Sequence, residues 1–127
     1  MIVVDASAAL AALLNDGPAR RRLATDDLHV PHLADPEVAS GLRRLVQAGQ
    51  ISAEDGWRAL DIWRRLALTR HPIPGLLKRI WELRDNVSAY DASYIALAES
   101  LDCELVTADG RLSRATGIQC PVTVIPK

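Results

Sequence analysis

The chain has 127 residues, a formal charge of −1 at pH 7 and 49% apolar residues, the length of one domain with enough apolar content to build a core without disulfides or a structural metal. The balanced charge excludes a highly charged disordered chain and a strongly basic nucleic-acid arm, and it names no partner. No basic segment precedes the opening MIVVDASAALAALL and Asp5 interrupts it, while a membrane span needs about 20 apolar residues, so the run is expected to be neither a signal peptide nor a membrane anchor, and a cytoplasmic location is expected.

In chain order, the β-branched run Ile2–Val4 predicts a strand, and Asp5 is a natural N-cap for a helix over Ala6–Leu14. Asn15-Asp16-Gly17-Pro18 breaks that helix, and Pro18 can open another through Arg20, Arg21, Arg22 and Leu23. Leu28–Pro31 is a short second strand. Val38, Leu42, Leu45 and Val46 recur at helical spacing in a helix over residues 33–48 that stops at Gly49. Ser52 and Asp55 begin a further helix carrying Trp57, Leu60, Trp63 and Ala67. Residues 69–73 contain Pro72 and so predict a brief or edge strand; Pro74-Gly75 opens a helix through Ile80 and Leu83. Residues 91–101 predict a helix with a core-facing stripe of Tyr94, Ile95, Leu97 and Ala98. Glu104–Thr107 is a strand, residues 109–115 one or two helical turns, and residues 121–125 a last strand. Strands alternating with helices imply a single α/β domain over residues 1–127, with a central, mostly parallel five-stranded sheet covered on both faces.

In an open parallel sheet the ligand site lies beyond the carboxyl ends of the strands, where the strand order reverses. Asp5 directly follows the first strand, and Asp109 lies two residues beyond the fourth. Glu37 and Asp91 stand in the first turns of helices that begin at the same rim. Each acid taken singly is explained as a helix cap or first-turn residue, favoured there by about 0.3–1 kcal/mol. Taken together they are not, because carboxylates about 4 Å apart repel by roughly 4 kcal/mol at an effective dielectric of 20, and such a cluster needs a cation. All-oxygen donors suit Mg²⁺ or Mn²⁺. His29, His32 and His71 have no zinc spacing, and Cys103 and Cys120, with no CxxC or His-spaced partner, are expected as two buried thiols. No glycine-rich phosphate loop follows the first strand, which excludes a nucleotide-binding Rossmann or P-loop assignment.

The segments IVVDASA, PEVASGLRR, NVSAYDASYIALAE and LVTADGRL, in this order and spacing, resemble the PIN-domain ribonucleases, and more closely the VapC toxins of bacterial toxin–antitoxin pairs. The resemblance runs from Ile2 to about Leu112 and is most specific in the third segment. It implies a PIN-like three-layer α/β/α fold and a Mg²⁺- or Mn²⁺-dependent endoribonuclease in which Asp5, Glu37, Asp91 and Asp109 hold the metal. It also implies supporting roles for Ser7, Thr107 and Asn86, a homodimer, and a VapB-type antitoxin as partner. Members often carry Asn-Ala-Leu where this chain has Ser40-Gly41-Leu42, and Asp35 competes with Glu37 for the place of the helix acid; its position before Pro36 favours Glu37.

Substrate contacts are less marked. Setting four of the 16 acids aside leaves the 15 Lys and Arg in excess, a mildly positive surround that suits phosphate. Arg43 and Arg44, and the run Arg20 to Arg22, are candidates for RNA backbone contact, against the simpler explanation of solvated helix faces. The Trp57 and Trp63 stripe serves either the core or a partner. Two other function classes remain open: a PIN-like RNA- or protein-binding module without catalysis, and a phosphoacceptor receiver domain, which would want an acceptor Asp at the end of the third strand, where Pro72 and Ile73 stand.

Overall fold

The computed structural model describes all 127 residues. Its elements are β1 (Ile2–Val4), α1 (Ala6–Leu14), α2 (Pro18–Thr25), β2 (Leu28–Pro31), α3 (Ala34–Gln47), α4 (Ala53–Arg65), β3 (Leu68–His71), α5 (Leu77–Glu82), α6 (Ala89–Ser100), β4 (Glu104–Thr107) and β5 (Val122–Val124). Short 3₁₀ turns cover Pro74–Leu76 and Gly110–Arg114. The five strands form one sheet in the order β3-β2-β1-β4-β5, and every pairing is parallel.

The third strand begins and ends earlier than the sequence predicts. Pro72 has no N–H for the ladder, so β3 stops at His71, whose register partner is Pro31. That end carries no acceptor carboxylate, which disposes of the receiver alternative.

The connections step outward from β1 to β2 to β3 and then return across the sheet to β4. Right-handed crossovers therefore place α1 to α4 on one face and α5 and α6 on the other, giving three layers. The reversal falls between β1 and β4, whose residues Ile2 to Val4 register with Glu104 to Val106.

Helix α6 lies against β1, β2 and β4. A single core-facing stripe was expected of it, but the whole run Ala92 to Ala98 is buried, since α6 packs against α5 as well as against the sheet. Trp63 is 1% exposed while Trp57 on the same helix is 56% exposed, so only the first of this pair belongs to the core. No helix is long and apolar enough to cross a membrane.

Candidate active site

Asp5 occupies the turn from β1 into α1. Its Oδ1 accepts from the backbone N–H of Ala8 at 2.9 Å and from the Ser7 hydroxyl at 2.7 Å, and its Oδ2 accepts from the Thr107 hydroxyl at the end of β4. The two hydroxyls are themselves anchored: Ser7 Oγ accepts from Ala108 N–H at 2.9 Å, and Thr107 Oγ1 from Asp109 N–H at 3.0 Å. Asp5 is thus a helix cap and also the tie between β1 and β4 at the point of reversal. Burial pushes its pKa up against these hydrogen bonds, and the charge of Asp91 adds to the rise.

Glu37 stands in the first turn of α3 and accepts a 2.7 Å hydrogen bond on Oε1 from the Tyr94 hydroxyl. Burial raises its pKa; Tyr94 opposes this, Asp91 and Asp5 reinforce it, and Arg44 opposes it. Asp91 is at the third position of α6, where its N–H donates to the Ser88 hydroxyl at 3.1 Å. Burial raises its pKa too, followed by the charge of Asp109.

Asp109 differs. It caps the 3₁₀ turn through Arg111 N–H, and the Arg111 guanidinium grips both carboxylate oxygens, the shortest contact being 2.7 Å. That contact holds its pKa below the ordinary carboxylate range.

Asp35, the competitor of Glu37, is committed elsewhere. It accepts from Trp63 Nε1 at 2.8 Å and from Arg70 Nε at 2.9 Å. Burial would raise its pKa, but Arg70 and Trp63 outweigh it and leave the pKa lowered.

Asp5, Glu37 and Asp91 therefore share one rim and have pKa values raised first by burial, to which the charge of Asp91 adds at Asp5 and Glu37 and the charge of Asp109 adds at Asp91. No three His, Cys, Asp or Glu side chains are arranged as a finished metal set, so the fourfold convergence expected from the sequence is incomplete as the side chains stand. Asp109, paired with Arg111, is the member held back. The donor chemistry still fits a hard divalent ion, since Oε2 of Glu37 and the Asp91 carboxylate accept no hydrogen bond from the protein and no nitrogen or sulfur ligand intrudes.

Of the supporting residues, Ser7 and Thr107 are at the centre of the cluster. Asn86 makes no hydrogen bond to the acids, and its amide lies beside Gly117. Arg44 lines a groove of about 720 Å³ that runs between α1 and α3 past Ser7, Glu37 and Lys127, whereas Arg43 is exposed away from it. Arg20 donates to the carbonyls of Ala12 and Leu13 at the end of α1, and Arg22 pairs with Asp26 and with Glu104 at the start of β4, the opposite rim. These two arginines hold α2 in place and are withdrawn as RNA contacts. His29 and His71 share a 2.8 Å hydrogen bond across β2 and β3. Cys103 and Cys120 are free and only partly buried, because they precede the paired residues of β4 and the edge strand β5.

Two contributors were missed from sequence. Tyr94 was placed in the core stripe, which is correct for its ring, but Asp91 and Tyr94 are three positions apart on one helix and so share a face. Arg111 lies two residues beyond Asp109 in a tight turn, a spacing that brings guanidinium and carboxylate together.

The PIN domain family model matches residues 2–118. Ribonuclease VapC9 of Mycobacterium tuberculosis is 67% identical over 127 residues, covering 100% of both chains. Ribonuclease VapC1 of the same species is 41% identical, covering 97% of this chain and 96% of the relative. Among solved structures, VapBC2 from Rickettsia felis bound to a DNA fragment from its promoter superposes with a TM-score of 0.70 at 15% identity, covering 98% of this chain and 99% of that one, which is a likeness of fold. The sheet order, the acids gathered at its point of reversal and these full-length matches agree: the chain belongs to the PIN-domain family, among the VapC ribonucleases.

Proposed function

We propose that this chain is the toxin of a type II toxin–antitoxin pair, a cytoplasmic Mg²⁺- or Mn²⁺-dependent endoribonuclease that hydrolyses RNA phosphodiester bonds. The observation that carries it is Asp5, fixed by Ser7, Thr107 and Ala8 N–H beside two further acids of raised proton affinity. Asp5 and Asp91 would hold the ion directly, with Glu37 and Asp109 completing the set or acting through bound water. When bound, such an ion supplies charge neutralisation at the phosphodiester and a more acidic water.

The chain's own groups do the rest. Ser7 and Thr107 spend their hydroxyl protons on Asp5 and so keep its carboxylate in one orientation. Tyr94 occupies Oε1 of Glu37 and leaves Oε2 as the acceptor for a proton from an attacking water. Arg44 flanks Glu37 and offsets part of the negative charge that would repel a phosphate.

A VapB-type antitoxin and a second copy of the chain are the partners, and the exposed Trp57 and Ile62 on α4, with Leu66 just beyond its end, offer apolar surface for association. The test is cleavage of purified RNA with Mg²⁺, with Mn²⁺ and with chelator. Cleavage should need the ion and should fall by at least a hundredfold in Asp91→Ala; a variant that cuts as fast as the parent would overturn the assignment. Metal binding and RNA retention without cleavage would instead identify a binding module, an alternative favoured by the engagement of Asp109 with Arg111.

A further inference from the structure

Arg111 has no role in the core. Its side chain is 80% exposed, yet its guanidinium is oriented at the mouth of the acidic site by Nε at 3.1 Å and Nη2 at 2.7 Å from the Asp109 carboxylate. A guanidinium has five N–H donors in a fixed plane. Nε and Nη2 are taken up by Asp109, and Nη1 makes no protein hydrogen bond. The Nη1 edge is therefore held in a fixed direction with its protons unspent.

The charge of Arg111 is also felt by Asp91, whose raised pKa it opposes. It does not stand alone there. Lys127 is close enough to Asp109 to stabilise its charge, and Arg44 does the same for Glu37. Three cations from three separate segments thus border a site whose own groups are anionic. A polyanion approaching that site needs such a border, because unscreened carboxylates would repel it.

We propose that Arg111 is a substrate-binding residue, donating through Nη1 to a backbone phosphate of the RNA beside the cleavage point, with Asp109 acting to position it. Asp109 then contributes to the reaction through Arg111 as well as through any share in holding the ion. This rests on the endoribonuclease assignment and adds a named phosphate contact to it.

The test measures binding of a short fluorescein-labelled single-stranded RNA by anisotropy, with Ca²⁺ in place of Mg²⁺, across a series of KCl concentrations. Arg111→Ala should weaken binding about tenfold, the value of one charged hydrogen bond. It should also flatten the slope of log affinity against log salt by about 0.7, the loss of one single-strand phosphate contact. Arg111→Lys should keep the slope and most of the affinity. Removing Arg111 also unmasks the Asp109 charge, so the double variant Arg111→Ala/Asp109→Asn is compared with Asp109→Asn alone, which shares any loss of metal binding. It should bind about tenfold more weakly than Asp109→Asn if the lost contact is to phosphate, and equal affinity of the two would overturn the proposal by showing that Arg111 only masks a carboxylate. An unchanged affinity and slope in Arg111→Ala would overturn it equally. Failure of the parent protein to bind or cut RNA is a different result and would count against the endoribonuclease assignment itself.

Discussion

The hydroxyl of Tyr94, a residue 1% exposed, reaches Oε1 of Glu37 at 2.7 Å and so joins α6 to α3 across 57 positions of sequence. The bond favours the ionised form of Glu37, against the burial that opposes it. Tyr94→Phe keeps the ring in the core and removes only the bond. It should cost about 1 kcal/mol in urea unfolding and weaken Mn²⁺ binding measured by calorimetry, since an untethered carboxylate must be ordered when the ion arrives. Unaltered Mn²⁺ affinity would show that the tether has no bearing on the site.

Metal-free stability should respond to the raised pKa values of Asp5, Glu37 and Asp91. An acid whose folded pKa lies above its unfolded value binds more protons in the native state, so its stabilising contribution is present below the unfolded pKa and is lost as pH rises through the folded one. Asp91→Asn removes one such charge. In chelator at neutral pH it should melt higher than the parent, and this advantage should shrink as pH falls through the carboxylate range. With saturating Mg²⁺ the order should invert, because ligand at a hundred times its Kd adds about 2.7 kcal/mol to a protein able to bind it. Thermal melts of both proteins, with and without Mg²⁺, decide the matter.

Asp35 and Glu37 lie two residues apart and should fail in different ways. Asp35→Ala strands the indole N–H of buried Trp63 and the Arg70 guanidinium, at a cost of about 2–3 kcal/mol. Its pKa is lowered in the folded state, so that contribution is present above the unfolded pKa and lost as pH falls through the folded one. Glu37→Gln should change stability little and reduce cleavage sharply. A paired comparison of chemical denaturation and RNA cleavage would refute this division if Asp35→Ala were the more harmful to catalysis at equal folded fraction.

Gly41 marks a close approach of α3 to α1. A methyl group there would lie 2.3 Å from Leu10 Cδ1. Ala gains about 1 kcal/mol of helix propensity over Gly, but Leu10 must then change rotamer, at about 0.5–1.5 kcal/mol. Gly41→Ala should consequently alter stability by less than about 1 kcal/mol, while Leu10→Ala/Gly41→Ala should be more stable than Leu10→Ala alone. Equilibrium unfolding of the four proteins in this cycle gives the coupling directly.

The positions of Asp5, Glu37, Asp91 and Asp109 were legible because each sits at a strand end or helix start, and parallel topology sends those to one rim. The state of each carboxylate was not legible. Asp35 and Glu37 both stand in the first turn of α3, and only the packing of α4 and β3, which brings Trp63 and Arg70 to Asp35, separates them. The run Arg20 to Arg22 looked like one basic patch, yet Arg22 meets Glu104 from 82 positions away, a partner that no local pattern announces. In α6 the apolar residues exceed one stripe, and whether the excess faces solvent or another helix depends on where α5 lies. Local chemistry predicted elements and their ends; charge pairing and burial depend on which distant segments become neighbours.

The strand order also governs timing. β1, the first strand to leave the ribosome, is in the middle of the sheet, and one of its two neighbours is β4, the fourth strand in the chain. Until residues 104–109 have been synthesised and have paired with β1, Asp5 lacks its Thr107 hydroxyl and Asp109 is absent. The rim that gathers these carboxylates is therefore completed only after most of the chain's length has been made.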